Sequence, residues 1–203
     1  MLPLNVGGAF YMNLDYREDR RKDFEEGIEK IGLTVERFPA FRTDPGYIGC
    51  TKSHLTVLKE AKARGYPSVL IFEDDFMFLV DKDTFWKTMA EVEKEVADGY
   101  DVIMLGYAII QSKPHSTSLM KVLEGQAPSA YIVHSRMYDR LIEVYEWALP
   151  LLESTHKHWL YINDQAWKKL QPTADWYATN LRIGKQRSGY SDNCKAVVHY
   201  ENA

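Results

Sequence analysis

Cysteine is scarce in this sequence. The two residues, Cys50 and Cys194, lie far apart and without metal-ligand spacing, which excludes a disulfide-stapled scaffold and a zinc knuckle and leaves at most one bridge between them. Basic residues are not in excess either: 25 Lys and Arg face 29 Asp and Glu, a formal net charge of −4, so the cationic field that holds a nucleic-acid backbone is missing. No segment reaches the ~20 consecutive apolar residues that span a bilayer. The N-terminal MLPLNVGGAFYMNLDYRED carries no charged leader ahead of a long apolar run. For the sequence as given, a cytoplasmic location is expected, with peripheral contact to a membrane left open.

What is present suits one globular unit, residues 1–203, with 45% hydrophobic and 13% aromatic residues to fill its core. Apolar runs of strand length alternate with stretches of helical period, the order of βαβ units. The first strand is expected at Ala9–Leu14. Asp15-x-x-Glu18 then has the form of a helix start, with Phe24, Ile28 and Ile31 on the buried face and Gly32 at the close. A second strand is expected over Thr34–Phe41, a turn at Asp44-Pro45-Gly46, and a helix through Ser53, His54, Leu55, Leu58 and Ala61 to Gly65. Val69–Phe78 supplies a third strand, Phe85, Met89, Val92 and Val96 a helical face, and Val102–Leu105 a fourth strand. The fold class is therefore α/β, an open, mostly parallel sheet with helices on both faces.

Residues Gln111–Pro128, polar and broken by Pro and Gly, read as a long loop or irregular hairpin. Ser129–His134 follows as a strand. Ser135 then caps a helix that buries Met137, Leu141, Val144, Tyr145 and Ala148 and ends at Pro150. The remainder holds a short helix near Asn163–Leu170, a polar segment RIGKQRSGYSDN and a terminal strand in AVVHY.

The stretch VLIFEDDFMF, Val69–Phe78, runs an apolar strand directly into three carboxylates, Glu73, Asp74 and Asp75. Adjacent anions repel, so a cation belongs beside them. Ligands of open α/β sheets collect at the C-terminal ends of parallel strands, and hard divalent ions such as Mn²⁺ or Mg²⁺ take carboxylate oxygens together with substrate phosphates. Strand alternation would set Glu73 and Asp75 on one side and Asp74 on the other. A helix cap or solvated turn accounts for an isolated acidic triplet equally well, so neighbouring motifs must decide.

Those motifs are YMNLDYREDR at Tyr11–Arg20, GYIGCTKSHLTVLKEA at Gly46–Ala61 and VLIFEDD at Val69–Asp75. In order and spacing they resemble glycosyltransferase family 25, which includes bacterial lipooligosaccharide sugar transferases and procollagen galactosyltransferases. SAYIVHSRMYDRLI, Ile162-Asn163-Asp164 and QRSGYSDN resemble its later segments more loosely. The resemblance implies a Rossmann-like GT-A fold, a nucleotide sugar donor, usually a UDP-sugar, a Mn²⁺ or Mg²⁺ ion at the acidic motif, and transfer with inversion. The acceptor it implies is a glycan, a lipid-linked glycan or a protein. A metal suits this chemistry because negative charge grows on the departing nucleoside diphosphate.

Carried over by position, the resemblance assigns Asp75 to the metal, Glu73 to the metal or the ribose, and Asp74 to the donor sugar or a supporting place. His199 becomes a third metal ligand, although a histidine beside Val197 and Val198 is also explained by packing. Arg17 and Arg20 fall to the nucleotide and its phosphates, whereas Arg21 and Lys22 read as a solvated face. Asn13 and Leu14 line the nucleotide pocket. Ser53 and His54 match the family's Ser-His pair, with His54 equally at home in the core beside Leu58 and Ala61. Asp164 is the first candidate for deprotonating the acceptor hydroxyl and Asp192 the second, with Gln186 and Lys185 as donor or phosphate contacts. The aromatics of HKHWLY and ADWYATN receive no role. Two other readings compete: a metal-dependent phosphoryl-transfer enzyme, and a non-catalytic module that binds a sugar nucleotide or glycan. Against the former, the first strand ends in Asn-Leu-Asp-Tyr and lacks the Asp-x-Asp expected there.

Overall fold

The computed structural model describes residues 3–96, 99–193 and 195–200; Cys194, and with it the bridge considered above, lies outside them. The first half of the chain builds β1 (Val6–Asn13), α1 (Glu18–Ile31), β2 (Glu36–Pro39), α2 (Gly46–Ala63) and β3 (Ser68–Glu73). Strand β1 pairs in parallel with both β2 and β3. After the short β4 (Phe76–Phe78) and α3 (Lys82–Glu95) comes a long hairpin of β5 (Val102–Pro114) and β6 (Leu119–His134). Then follow α4 (Ser135–Thr155), α5 (His158–Tyr161), α6 (Asn163–Ala166), a 3₁₀ turn at Trp167–Leu170, β7 (Trp176–Thr179), β8 (Gly184–Gln186), β9 (Gly189–Ser191) and β10 (Ala196–Val198).

The main sheet has the order β2-β1-β3-β6-β5-β7. Strand β6 runs antiparallel to both its neighbours β3 and β5, while β7 is parallel to β5, so one inverted strand interrupts an otherwise parallel sheet. Period-two alternation sorts the strand residues onto two faces. On one face Phe10, Met12, Val69, Ile71, Met104 and Tyr131 pack with α2 and α4; on the other Tyr11, Leu70, Phe72, Ile103 and Ile132 pack with α1 and α3. Among the described residues, no helix is long and apolar enough to cross a membrane.

Several expectations need correction. Of the two forms expected for 111–128, the loop gives way to the irregular hairpin: both its flanks pair within the β5–β6 hairpin, and register shifts between Met104 and Ser112 curl it until Leu119–Lys121 pair with β7. Bulges of this kind leave no clean alternation in sequence. Asp15 does not cap α1, since Arg17 holds the N-cap position without a side-chain bond and Asp15 instead accepts from Arg37 at 2.7 Å. Helix α4 is capped by the His134 ring rather than Ser135 and runs through Pro150 to Thr155. Strand β7, anticipated only as a group of aromatics, buries Trp176 completely.

Candidate active site

The decapeptide Val69–Phe78 is two strands, not one. β3 stops at Glu73, the chain turns at Asp74–Asp75, and β4 leaves to pair with β8 in a separate two-stranded sheet. Phe76 fixes this turn: its ring, 2% exposed, packs on Phe72 and Phe78 at centroid distances of 5.3 and 4.9 Å. A Cβ at Gly106 or Gly184 would collide with that ring, which is why the two flanking strands carry glycine there. The Asp75 carbonyl accepts from the Arg187 backbone N–H at 2.6 Å. Alternation is thereby broken at the strand end, and Glu73, Asp74 and Asp75 all line one cleft of about 370 Å³.

Met12 and Leu14 at the end of β1 form one wall of that cleft, and Phe41, Gly46, Cys50 and His54 another. Tyr190 to Asn193 with Lys195 and Tyr200 form a third, with Gln186 at the floor. The wall on α2 depends on a close approach. Gly49 packs so tightly on the Phe41 carbonyl that a Cβ has no room, the Gly49 N–H donates to Thr43 Oγ1 at 2.7 Å, and Ser53 Oγ accepts from the Phe41 N–H at 3.0 Å while donating to the Gly49 carbonyl at 2.7 Å. Ser53 is thus wholly occupied in holding the loop to the helix. It does not line the cleft.

The three acids differ in their partners, with Arg20 shared by two of them. Asp74 accepts from Asn13 Nδ2 at 2.7 Å and from Arg20 Nη1 at 2.8 Å, so both its oxygens are engaged; Asn13, itself buried, accepts from Arg37 Nε at 3.0 Å. Asp75 Oδ2 pairs with Arg20 at 3.1 Å, but Asp75 Oδ1 is buried and has no partner among the described residues. Glu73 presents one oxygen to His54 Nε2 at 3.1 Å and the other to Gln186 Nε2 at 3.2 Å. The His54 ring, completely buried, has its Nδ1 2.7 Å from the Tyr131 hydroxyl. With Glu73 ionised the ring proton belongs on Nε2 and the Tyr131 hydroxyl donates to Nδ1; with Glu73 protonated the carboxyl donates to Nε2 and the Nδ1–H donates to Tyr131.

Burial governs the electrostatics. It pushes Glu73 up to about 8, with Asp164 and Asp74 adding repulsion against the relief from Arg20 and Gln186. Burial also lifts Asp75 to about 7, reinforced by Glu73 and opposed chiefly by Arg20. His54 is driven down to about 3 by burial and is neutral, so its contact with Glu73 is a hydrogen bond rather than an ion pair. Among the described residues, five carboxylates line the cleft (Asp44, Glu73, Asp74, Asp75, Asp192) against three cations (Arg20, Arg42, Lys195). Arg20 is the cation that the acidic turn demanded, yet it is shared between Asp74 and Asp75 and also donates to the Tyr190 carbonyl at 2.8 Å. The Asp75 oxygen, unpartnered among the described residues, and the excess of carboxyl groups over cations fit a hard divalent cation, which takes oxygen donors.

The remaining predicted residues divide. Arg17 pairs with Asp19 and Asp192, and the Tyr16 hydroxyl donates to Asp192 at 2.7 Å, tying the C-terminal wall to the loop after β1. Leu14, Arg20, His54, Gln186 and Asp192 line the cleft. Asp164, at the start of α6, does not; it accepts from the Ala127 N–H at 3.1 Å, and its charge is felt at Glu73, His54 and Cys50 on the lining. His199 is exposed and off the lining. Sequence reasoning missed Cys50, whose thiol is 3.9 Å from both Glu73 and Asn163, and Tyr131. Cys50 stands one helical turn before His54, a spacing that signalled a shared face.

No protein-family model matches the chain. Two curated relatives, each named a Glycosyltransferase 25 family member, are similar to it. The protein from Drosophila pseudoobscura pseudoobscura is 32% identical over 103 residues, 37% of this chain and 16% of the relative; that from Aedes aegypti is 26% identical over 138 residues, 53% of this chain and 22% of the relative. The chain thus matches less than a quarter of these relatives' length. Two solved structures share its fold. One, a mannose-1-phosphate geranyltransferase from Thermus thermophilus, aligns at TM-score 0.50 and 10% identity over 91% of this chain and 75% of its own. The other, a glycosyltransferase involved in glycosylation of the major capsid of PBCV-1, aligns at TM-score 0.51 and 8% identity over 84% of this chain and 80% of its own. The mostly parallel sheet with helices on both faces is of the Rossmann-like GT-A type, and the family resemblance read from the motifs is to glycosyltransferase 25 members.

Proposed function

We propose that this chain moves a hexose from a nucleotide sugar, a UDP-sugar, to a hydroxyl of a glycan, lipid-linked glycan or protein, with inversion and with a bound Mn²⁺ or Mg²⁺. The observation that carries the reading is Asp75 Oδ1: a buried carboxyl oxygen without a partner among the described residues, on a cleft lined by five carboxyl groups against three cations. A diphosphate entering such a cleft would meet repulsion unless a divalent cation accompanied it. Asp75, with the Glu73 oxygen that faces Gln186, would hold that ion. When bound, the ion supplies charge stabilisation to the departing diphosphate.

The protein's own groups do the rest. Arg20 sets the angle of Asp74 and Asp75 and adds positive charge on the leaving-group side. Asn13 locks Asp74 to the end of β1, and Leu14 with Met12 offers an apolar surface for the nucleotide. Of the two carboxylates considered for taking the acceptor's proton, Asp192 lines the cleft and Asp164 does not, so that role goes to Asp192, oriented by Arg17 and Tyr16. Asp164 acts on Glu73 by like-charge repulsion, which helps to raise its pKa.

The test is UDP release from UDP-hexoses with Mn²⁺, alongside thermal denaturation with UDP. A ligand that binds only the native state raises its stability by RT ln(1 + [L]/Kd). UDP should raise Tm with Mn²⁺ present and far less without it, and Asp75→Asn should abolish the difference. A folded chain that UDP fails to stabilise at millimolar concentration with Mn²⁺, and that releases no UDP, overturns the reading.

A further inference from the structure

Glu73 turns two oxygens toward two different donor sets. One faces Gln186; the other lies 3.1 Å from His54 Nε2 and 3.9 Å from Cys50 Sγ. Sulfur, imidazole nitrogen and carboxylate oxygen all lie within 4.8 Å of one another. A tetrahedral Zn²⁺ with bonds of about 2.0 Å to nitrogen and oxygen and about 2.3 Å to sulfur has N···O and S···O edges of about 3.3 and 3.5 Å. The observed separations differ from these by a few tenths of an ångström, within the reach of side-chain rotation.

Three further features match a metal centre. Cys50 and His54 stand at i and i+4 on α2, which places both on one helical face. The His54 Nδ1 meets the Tyr131 hydroxyl at 2.7 Å, the outer contact that orients a ligating imidazole. Asn163 closes the side away from the cleft: its Oδ1 is 3.9 Å from Cys50 Sγ, and its Nδ2 is buried without a partner among the described residues. All three ligands line the cleft, so a fourth coordination position opens toward solvent or substrate.

We propose that Cys50, His54 and Glu73 form a second metal site, selective for Zn²⁺ and other borderline-soft divalent ions over Mn²⁺ or Mg²⁺. Selectivity follows from the thiolate and imidazole, which favour such ions where carboxylates alone favour hard ones. On binding, the metal–sulfur bond replaces the S–H bond and the thiol proton passes to solvent, together with the Glu73 proton where the carboxyl carries one; the His54 ring proton sits on Nδ1 and Tyr131 is its acceptor. Occupation draws Glu73 toward α2, so Zn²⁺ inhibits transfer. That inhibition rests on the transferase reading, whereas the binding itself does not.

The experiment is titration of the reduced, metal-free full chain with Co²⁺, a spectroscopic stand-in for zinc. One equivalent should produce a near-ultraviolet sulfur-to-cobalt charge-transfer band that Zn²⁺ bleaches. Cys50→Ser should remove the band, Cys194→Ser should keep it, and His54→Gln should weaken Co²⁺ binding at least tenfold, each with unchanged far-ultraviolet circular dichroism. A folded wild-type chain that gives no band, a band that survives in Cys50→Ser, or unaltered affinity in His54→Gln refutes the site. Failure here leaves the response to UDP and Mn²⁺ untouched, so the two proposals fall separately.

Discussion

Asn13 and Asp74, 61 positions apart in the chain, are joined by a 2.7 Å hydrogen bond from the amide to the carboxylate. That contact links the end of β1 to the acidic turn after β3 and, with Arg20 on the other oxygen, fixes the Asp74 carboxylate in place. Asp74 is thus a strut for its neighbours, and Asn13 is its anchor. Asn13→Leu removes the donor to Asp74 and the acceptor of Arg37 Nε, while Arg37 keeps Asp15 through its other nitrogen. Leaving buried polar groups unpaired costs about 1–3 kcal/mol, which for a chain of this size lowers Tm by about 2–4 °C per kcal/mol. Urea and thermal denaturation measure it.

Metal-free stability should depend on pH with a defined sign. Glu73 and Asp75 have folded-state values near 8 and 7, raised mainly by burial above their ordinary 4.5 and 3.8. Between the ordinary and the raised values the native chain holds more protons than the unfolded one, so their contribution is complete at acid pH and is lost as pH climbs through about 4 to 8. Denaturation across that window should show it. Asp75→Asn should flatten the slope, and Mn²⁺ should oppose the loss most strongly at the alkaline end, where the carboxylates are free to bind it.

The α2 start offers a graded pair of substitutions. Ser53→Ala leaves the Phe41 N–H and the Gly49 carbonyl without their side-chain partner and costs about 1–2 kcal/mol. Gly49→Ala forces a methyl onto the Phe41 carbonyl, where overpacking costs about 1–3 kcal/mol and displaces a wall of the cleft. In a UDP-binding titration, Gly49→Ala should weaken affinity more than Ser53→Ala does.

The two base candidates separate in kinetics. If Asp192 takes the acceptor proton, Asp192→Asn lowers kcat about 10²–10⁴-fold with the Mn²⁺-dependent Tm shift by UDP retained. Asp164→Asn removes a charge that repels Glu73, so it should shift the pH profile with a smaller fall in kcat. A larger loss of kcat in Asp164→Asn than in Asp192→Asn reverses the assignment.

Much of this architecture could be read from residue order. The faces of α1 and α3 and the Gly32 cap follow from periodicity, and the acid triplet at the end of an apolar run does mark a strand end that lines a cleft. What escaped reading was set at long range. The inverted β6 depends on a hairpin whose bulges erase alternation, and the split of Val69–Phe78 depends on Phe76 finding glycines far along the chain, at positions 106 and 184. Ser53 and His54 stood out as a pair, but the chain alone did not reveal that Ser53 faces a loop and His54 a carboxylate. That distinction arises from where α2 crosses the end of β3.

The pairing of β4 with β8 carries a consequence for assembly. The six-stranded sheet can be completed once residue 179 has been made, whereas the acidic corner gains its last neighbours only from residues 184–187. A nascent or clipped chain that stops between those points would retain most of its buried hydrocarbon while Phe76 lay uncovered and Gln186 was missing. The acidic corner would then be completed after the six-stranded sheet during synthesis.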